Sequence, residues 1–261
     1  MEHDSADDSS DPGREQASRA AEDDELAESM AALSRLSSGR WDLEDLLAEV
    51  ASFAVKAIPG AEGAGLTLLE AGRADTIVKS ALFVEAIDDI QYGLGQGPCI
   101  SAAETRQTMR SGSLGADPRW PRFGPRAEQL GVHSVLSLPL IAGEVVVGAM
   151  NVYAHAPDSF DERSERLGQL FAVPAAIAVQ NAQILAQTRR LAVSLQAALT
   201  SQEVIDQAIG IMRARSGISA DEAYDRLRQR SQREHIKVNS VAADIVQEAV
   251  RQARARRRDT N

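Results

Sequence analysis

The stretch VHSVLSLPLIAGEVVVGAMNVYA, residues 132–154, carries two aliphatic runs that meet at Ala142-Gly143-Glu144. Apolar runs on either side of a short glycine-bearing break predict an antiparallel hairpin. Pro139 lies inside the first run and has no N–H to give a ladder, which predicts an edge position or a bulge there. Upstream, AGLTLLE (64–70) and TIVKSAL (76–82) read as further short strands. Before them, residues 41–58 set Leu43, Leu46, Leu47, Val50, Ala54 and Ala57 on one helical stripe, ended by Pro59-Gly60. After the hairpin, APDSFDERS leads into helical spacing through ERLGQLFAVPAAIAVQNAQILAQ. Pro174 falls within that helix and predicts a kink or break, at about 3 kcal/mol. Helix, strands, hairpin and helix make an α+β order around an antiparallel sheet.

Composition limits the function classes. The chain has 261 residues, of which 44% are hydrophobic, enough for a globular core. Its one cysteine, Cys99, excludes an internal disulfide and a thiolate metal cage, so a reducing, cytoplasmic setting is expected. No segment approaches ~20 continuous apolar residues, and no cationic start precedes an apolar run, so neither a membrane span nor a secretory signal is expected. Charge is unevenly spread. Residues 1–28 hold eleven acids against two arginines, whereas residues 195–261 hold nine acids against twelve bases. The acidic opening, poor in large apolar residues, predicts a disordered tail over 1–37.

DDIQYGLGQGPCISA (88–102) packs three glycines and a proline into GLGQGPC, which suits a tight loop with close backbone approach. Tyr92, Trp120 and Phe123 fit either the wall of an apolar cavity or the core. Cys99 is either a redox-reactive thiol or an inert small hydrophobe. His133 is a candidate haem or metal ligand, but no His/Asp/Glu cluster stands near it at ligand spacing. Together with DPRWPRF (117–123), GVHSVLSLPL (131–140) and VVGAMNVYAHAPDSFDE (146–162), this stretch resembles GAF domains of actinobacterial signalling proteins over roughly residues 38–182. The resemblance implies a sheet flanked by helices and a small-molecule cavity, with Tyr92, Cys99, Trp120, Phe123 and His133 as its candidate lining. Some GAF proteins are thiol-dependent sulfoxide reductases, but that chemistry needs a second cysteine to resolve the first. No catalytic residue, metal or cofactor is therefore expected, and no enzyme.

From Ile184 to Met212, residues 184, 188, 191, 195, 198, 202, 205, 209 and 212 alternate spacings of four and three. They carry Ile, Thr, Leu, Leu, Ala, Gln, Ile, Ile and Met, roughly four heptads of a coiled-coil seam with two polar interruptions. The alternatives are a homodimer through this seam or one long helix packed on its own domain. The helical linker is expected over 183–200.

The end of the chain reads as three short helices. Ile205, Ala208, Ile209 and Met212 make a stripe from which Gly210 points away, so a close neighbour is expected at Gly210. Ser219 and Glu222 form a capping box, with Ala223, Tyr224 and Leu227 facing inward behind it. Asn239 is the expected N-cap of the third helix. VIDQAIGIM (204–212), SADEAYDRLRQRS (219–231) and KVNSVAADIV (237–246) resemble the ANTAR domain over about residues 195–250. That resemblance implies binding to stem-loops in leader transcripts and transcription antitermination. Arg213, Arg230, Arg233 and Lys237 are the candidate phosphate contacts, and Tyr224 either stacks on a base or packs inside. Ile209, Ile236 and Asn239 stand where many members carry a cation, which lowers the charge of the presumed RNA side. Residues 251–261 read as a frayed basic tail. The expected whole is a signal-responsive RNA-binding regulator with a GAF sensor. The alternative is an adaptor whose helical bundle binds a protein.

Overall fold

The computed structural model describes residues 12–36, 41–70 and 73–258. Residues 1–11 and 37 of the expected acidic tail, and 259–261 of the expected basic tail, lie outside the described residues. The chain divides into two units, one ending at residue 186 and the other beginning at 187.

In the first unit, β1 (Gly63–Glu70), β2 (Arg73–Lys79), β3 (Met109–Ser111), β4 (Ser134–Ala142) and β5 (Val145–Ala154) form one antiparallel sheet in the order β2-β1-β5-β4-β3. The hairpin read from residues 132–154 is β4 and β5, and it turns at Gly143, whose φ of 64° favours glycine. Pro139 lies at an edge, the first of its two expected settings, and not in a bulge. β3 pairs only with Val135 to Ser137, so the outer side of β4 is an open edge at Pro139, and the register shifts one residue further on, between Leu140 and Ile141.

Strand alternation sorts side chains onto two cores. Leu136, Leu138, Met150 and Val152 face α2 (Leu43–Ala57) and the start of α6 (Glu162–Ser216), where Leu47, Val50, Phe171 and Val179 meet them. On the opposite face Val135 and Tyr153 join Val84, Ile87, Leu114, Trp120 and Phe123. That face is covered by α3 (Leu82–Leu94), α4 (Pro98–Thr105) and α5 (Gly124–Gln129). Each such large apolar side chain contributes about 1.5–3 kcal/mol of burial.

Two sequence expectations fail here. Residues 12–36 are not a disordered tail but α1 (Pro12–Leu36). Leu26, Leu33 and Leu36 are buried, and Met30 packs beside them, so three leucines and a methionine at helical spacing anchor an otherwise acidic segment on α2. Arg163 reinforces the anchor, donating to Glu22, to Asp23 at 2.9 Å and to the Arg19 carbonyl at 2.8 Å. Of the kink or break expected at Pro174, the break does not occur, since the helix continues to Ser216. The proline sits between exposed Leu170 and Val173 and buried Ala175, at the exposed margin of the helix.

By length and composition alone, α6 also holds a stretch long and apolar enough to cross a membrane, a test that the core helix of a soluble protein passes as well. Of that stretch 33% is buried, and Leu167, Phe171, Ala175 and Val179 of this helix belong to the sheet core.

The second unit contains the end of α6 with α7 (Ala220–Glu234) and α8 (Val238–Arg258). Ile205, Ala208, Leu227, Val241 and Ala242 are its core, joined by Ile209 and Met212. The predicted seam is therefore split. Ile184, Leu191 and Leu195 are 55%, 69% and 59% exposed, while Ile205, Ile209 and Met212 are used by the bundle. A coiled coil has only the heptads before residue 205 at its disposal.

Candidate nucleic-acid interface and sensor cavity

A cavity forms where α3 ends. Gly95 takes a left-handed conformation and turns the chain into α4, bringing Tyr92 and Cys99 together. The Tyr92 hydroxyl donates to Thr67 Oγ1 and lies 3.2 Å from Cys99 Sγ, while the Cys99 N–H donates to Gln91 Oε1 at 2.8 Å. These groups close one end of a cavity of about 400 Å³ whose walls are Leu69, Ile100, Ala103 and Ala149, with Glu104 among the lining.

Behind the cavity lies a buried polar network. Asp88 accepts from the Tyr153 hydroxyl at 2.8 Å and from Asn151 Nδ2 at 3.4 Å, and Ser137 donates to Asn151 Oδ1 at 2.7 Å. Asp88 lies against Gly65, where any Cβ would collide with its carboxylate and with Val84. Burial, then the Asp88 charge, pushes the Cys99 thiol up to about 11. Burial first, then Cys99, raises Tyr92 well above its ordinary value; burial and Asp88 do the same to Tyr153. All three stay protonated at neutral pH, so they offer hydrogen bonds rather than nucleophiles.

Of the five residues read as cavity lining, the structure brings only Tyr92 and Cys99 to it. Trp120 and Phe123 fill the second core, Trp120 donating its Nε1–H to Ser101 Oγ at 2.9 Å under the Arg119 guanidinium. His133 is at the surface, 3.5 Å from Glu128. The reason is topological: the loop 117–123 packs beneath α3 rather than at the cavity mouth. Thr67, Ala149 and Asp88 were not singled out from the sequence. A usable signal existed for Asp88, four residues before Tyr92 and thus on the same helical face.

In the helical unit, Ser219 Oγ accepts from the Glu222 N–H at 3.1 Å, the N-cap half of the expected capping box, while the Glu222 carboxylate turns to Arg226. His235 closes α7 in a left-handed conformation, and the Lys237 carbonyl accepts from Ser240 N at 3.0 Å and Val241 N at 3.2 Å to open α8. Asn239 is therefore not the cap; it lies inside the first turn, with a buried Oδ1 that has no partner. Beyond its own helix, Gly210 meets no atom of the described residues within 4 Å of a hypothetical Cβ, so they do not supply the neighbour expected there.

Tyr224 is 43% exposed and stays out of the core, contrary to its expected inward position; Ala223 and Leu227 fill that core alone on α7. One flank of α7 carries Arg226, Arg230 and Arg233, which rim a hollow of about 310 Å³ floored by Met212, Leu227 and Ile245. Tyr224 and Arg228, four residues apart, occupy the other flank. Arg213 and Lys237 are exposed but do not line the hollow. The rim arginines lie near carboxylates: Arg226 at 2.9 Å from Glu222, with Arg230 and Arg233 at 3.0 and 3.7 Å from Glu234. Such exposed pairs are worth little and exchange readily for a phosphate.

Comparison with known proteins agrees with this division. The GAF domain family matches residues 42–180, and the ANTAR domain family matches residues 194–246. The anaerobic nitric oxide reductase transcription regulator NorR of Citrobacter koseri is 40% identical over 63 residues, which are 24% of this chain and 12% of that protein. The chain thus spans about an eighth of that relative's length. Among solved structures, a GAF sensor protein from Burkholderia vietnamiensis is 20% identical with a TM-score of 0.44, covering 64% of this chain and 98% of its own. The free methionine-R-sulfoxide reductase of Neisseria meningitidis with its substrate is 15% identical with a TM-score of 0.44, covering 60% of this chain and 90% of its own. A sensory GAF unit followed by an ANTAR unit is the organisation of a regulator, and the chain belongs to the GAF domain family as a two-domain GAF–ANTAR protein.

Proposed function

We propose that the protein is a cytoplasmic, non-enzymatic regulator that binds stem-loops in leader transcripts through its ANTAR unit and promotes antitermination. The observation that carries this reading is the surface of α7. A closed apolar core leaves both an aromatic ring, Tyr224, and an arginine rim facing solvent. Phosphate contacts from Arg230 and Arg233, with Arg213 and Lys237 beyond them, supply affinity, while Tyr224 stacks on a splayed loop base. A neutral or amine-bearing small molecule in the cavity beside Tyr92 and Cys99 is the proposed signal, since among the described residues the one charged side chain lining it is the carboxylate of Glu104. A lone cysteine held as a buried thiol argues against sulfoxide reduction. The bare seam at Leu191 and Leu195 supports a homodimer through α6.

The test is retardation of a two-hairpin leader RNA against its scrambled sequence. The intact hairpins should bind selectively, and Arg230→Ala or Arg233→Ala should each flatten the logarithmic salt dependence by about 0.7–0.9. Equal binding of the scrambled RNA at moderate salt would defeat the reading. A second reading, an adaptor that docks a protein helix, draws on an open groove of about 600 Å³ between α6 and α8, lined by Val193, Ala197, Val204, Asn239 and Ala243. It predicts the same partner binding with and without RNA.

A further inference from the structure

We infer that the end of α8 is a second RNA-binding element, a cationic arm that grips the phosphates of a duplex stem apart from the surface of α7. This deepens the RNA reading and rests on it for the class of partner. From Val250 to Arg258 the helix continues although every described side chain there is exposed, so no core contact holds it. Residues 251–258 include five arginines, and residues 249–258 include no acid. Arg251, Arg254 and Arg258 recur at three and four residues, which sets them on one stripe about 10 Å long. Arg215, at the end of α6, donates to Gln252 Oε1 at 2.9 Å and so adds its charge, with Arg213 nearby in sequence, at the base of the arm.

Two comparisons within the unit mark this surface. The rim arginines of α7 lie beside Glu222 and Glu234, whereas Arg213, Arg215, Arg251, Arg254 and Arg258 have no carboxylate partner among the described residues. The helix dipole accounts for cations in a last turn and falls off within it, which leaves Arg251 and Arg254 unexplained. The ANTAR match ends at residue 246, so the arm is an addition to the shared domain. Double-stranded RNA is held mainly through its backbone and shape, which suits a row of guanidinium groups without base-reading partners. A lipid surface is the poorer fit, because Val250 is the only large apolar residue in the arm and a membrane-binding helix needs an apolar face.

The test uses the full chain and an R251Q/R254Q/R258Q variant, titrated against a loopless RNA duplex, the two-hairpin RNA, and phosphatidylserine vesicles at 50 and 200 mM salt. With about 0.9 counterions released per phosphate contact, three lost contacts make the native protein lose roughly 40-fold more duplex affinity over that range than the variant does. Because the arm lies outside the core, melting curves of the variant should overlay the native ones. Duplex binding by the native protein with no preference for the hairpins would sink the stem-loop reading and leave the arm standing. Equal duplex affinity and salt slope in native and variant proteins, or native binding to vesicles and not to the duplex, overturns the arm.

Discussion

The two units place their chemistry on opposite sides of their cores. In the GAF unit the polar groups lie inside: Asp88, Asn151 and Ser137 are fully buried between sheet and helices, and Cys99 and Tyr92 close the cavity beside them. In the ANTAR unit the core is a handful of small and aliphatic side chains, and its arginines and Tyr224 lie outside. An interior site gains strength from low dielectric and changes its neighbours when filled, which suits sensing a small molecule. An exterior one meets a large polyanion without desolvating a cavity. Between them α6 presents a bare apolar stripe, the surface most in need of a partner.

The largest expected effect concerns that stripe. For the proposed homodimer, Leu191→Asp with Leu195→Asp should give monomers in sedimentation while leaving both units folded; a surviving dimer would move the interface elsewhere, and a native protein that sediments as a monomer would remove the dimer. Next come the cores. Phe171→Ala should destabilise the GAF unit by about 3–5 kcal/mol and leave the melting of the ANTAR unit unchanged, as followed by calorimetry. A single merged transition that shifts as a whole would show that the contrast between separate units is false. The smallest effect is alkaline. A thiol ionises near 8.5–9 in the unfolded chain but at about 11 in Cys99, so the fold retains a proton that the unfolded state releases. The stabilisation is complete below pH ~9 and declines by about 2–3 kcal/mol as pH rises to ~11. Tyr92 and Tyr153, raised in the same direction, extend the loss above pH ~10. Urea melts should show this fall in the GAF unit and not in the ANTAR unit, and Cys99→Ala should remove the part that begins near pH 9.

Much of this architecture was legible in the chain. The hairpin at residues 132–154, the stripe of α2 and the N-cap at Ser219 follow from local period and turn chemistry, which act over a few residues. Pro139 even announced its free edge. The acidic N-terminal segment was misread because its composition outweighed one sparse stripe, Leu26, Leu33 and Leu36, whose worth depends on a surface far away in sequence. Trp120 and Phe123 were misplaced for a related reason: aromatic residues look alike whether they line a cavity or fill a core, and only the path of loop 117–123 separates the two.

The amino-acid order alone determined the β4–β5 hairpin, α2, α7, the two-domain organisation and the residue types available to each site, since periodicity and turns are properties of neighbours along the chain; α1 needed the surface of α2. Tertiary structure alone decided which of those residues meet. It split one heptad stripe between a bare surface and a bundle core, turned Tyr224 outward, and buried a carboxylate behind Cys99. Those outcomes depend on which apolar face finds a partner first, and that competition is settled between elements far apart in sequence.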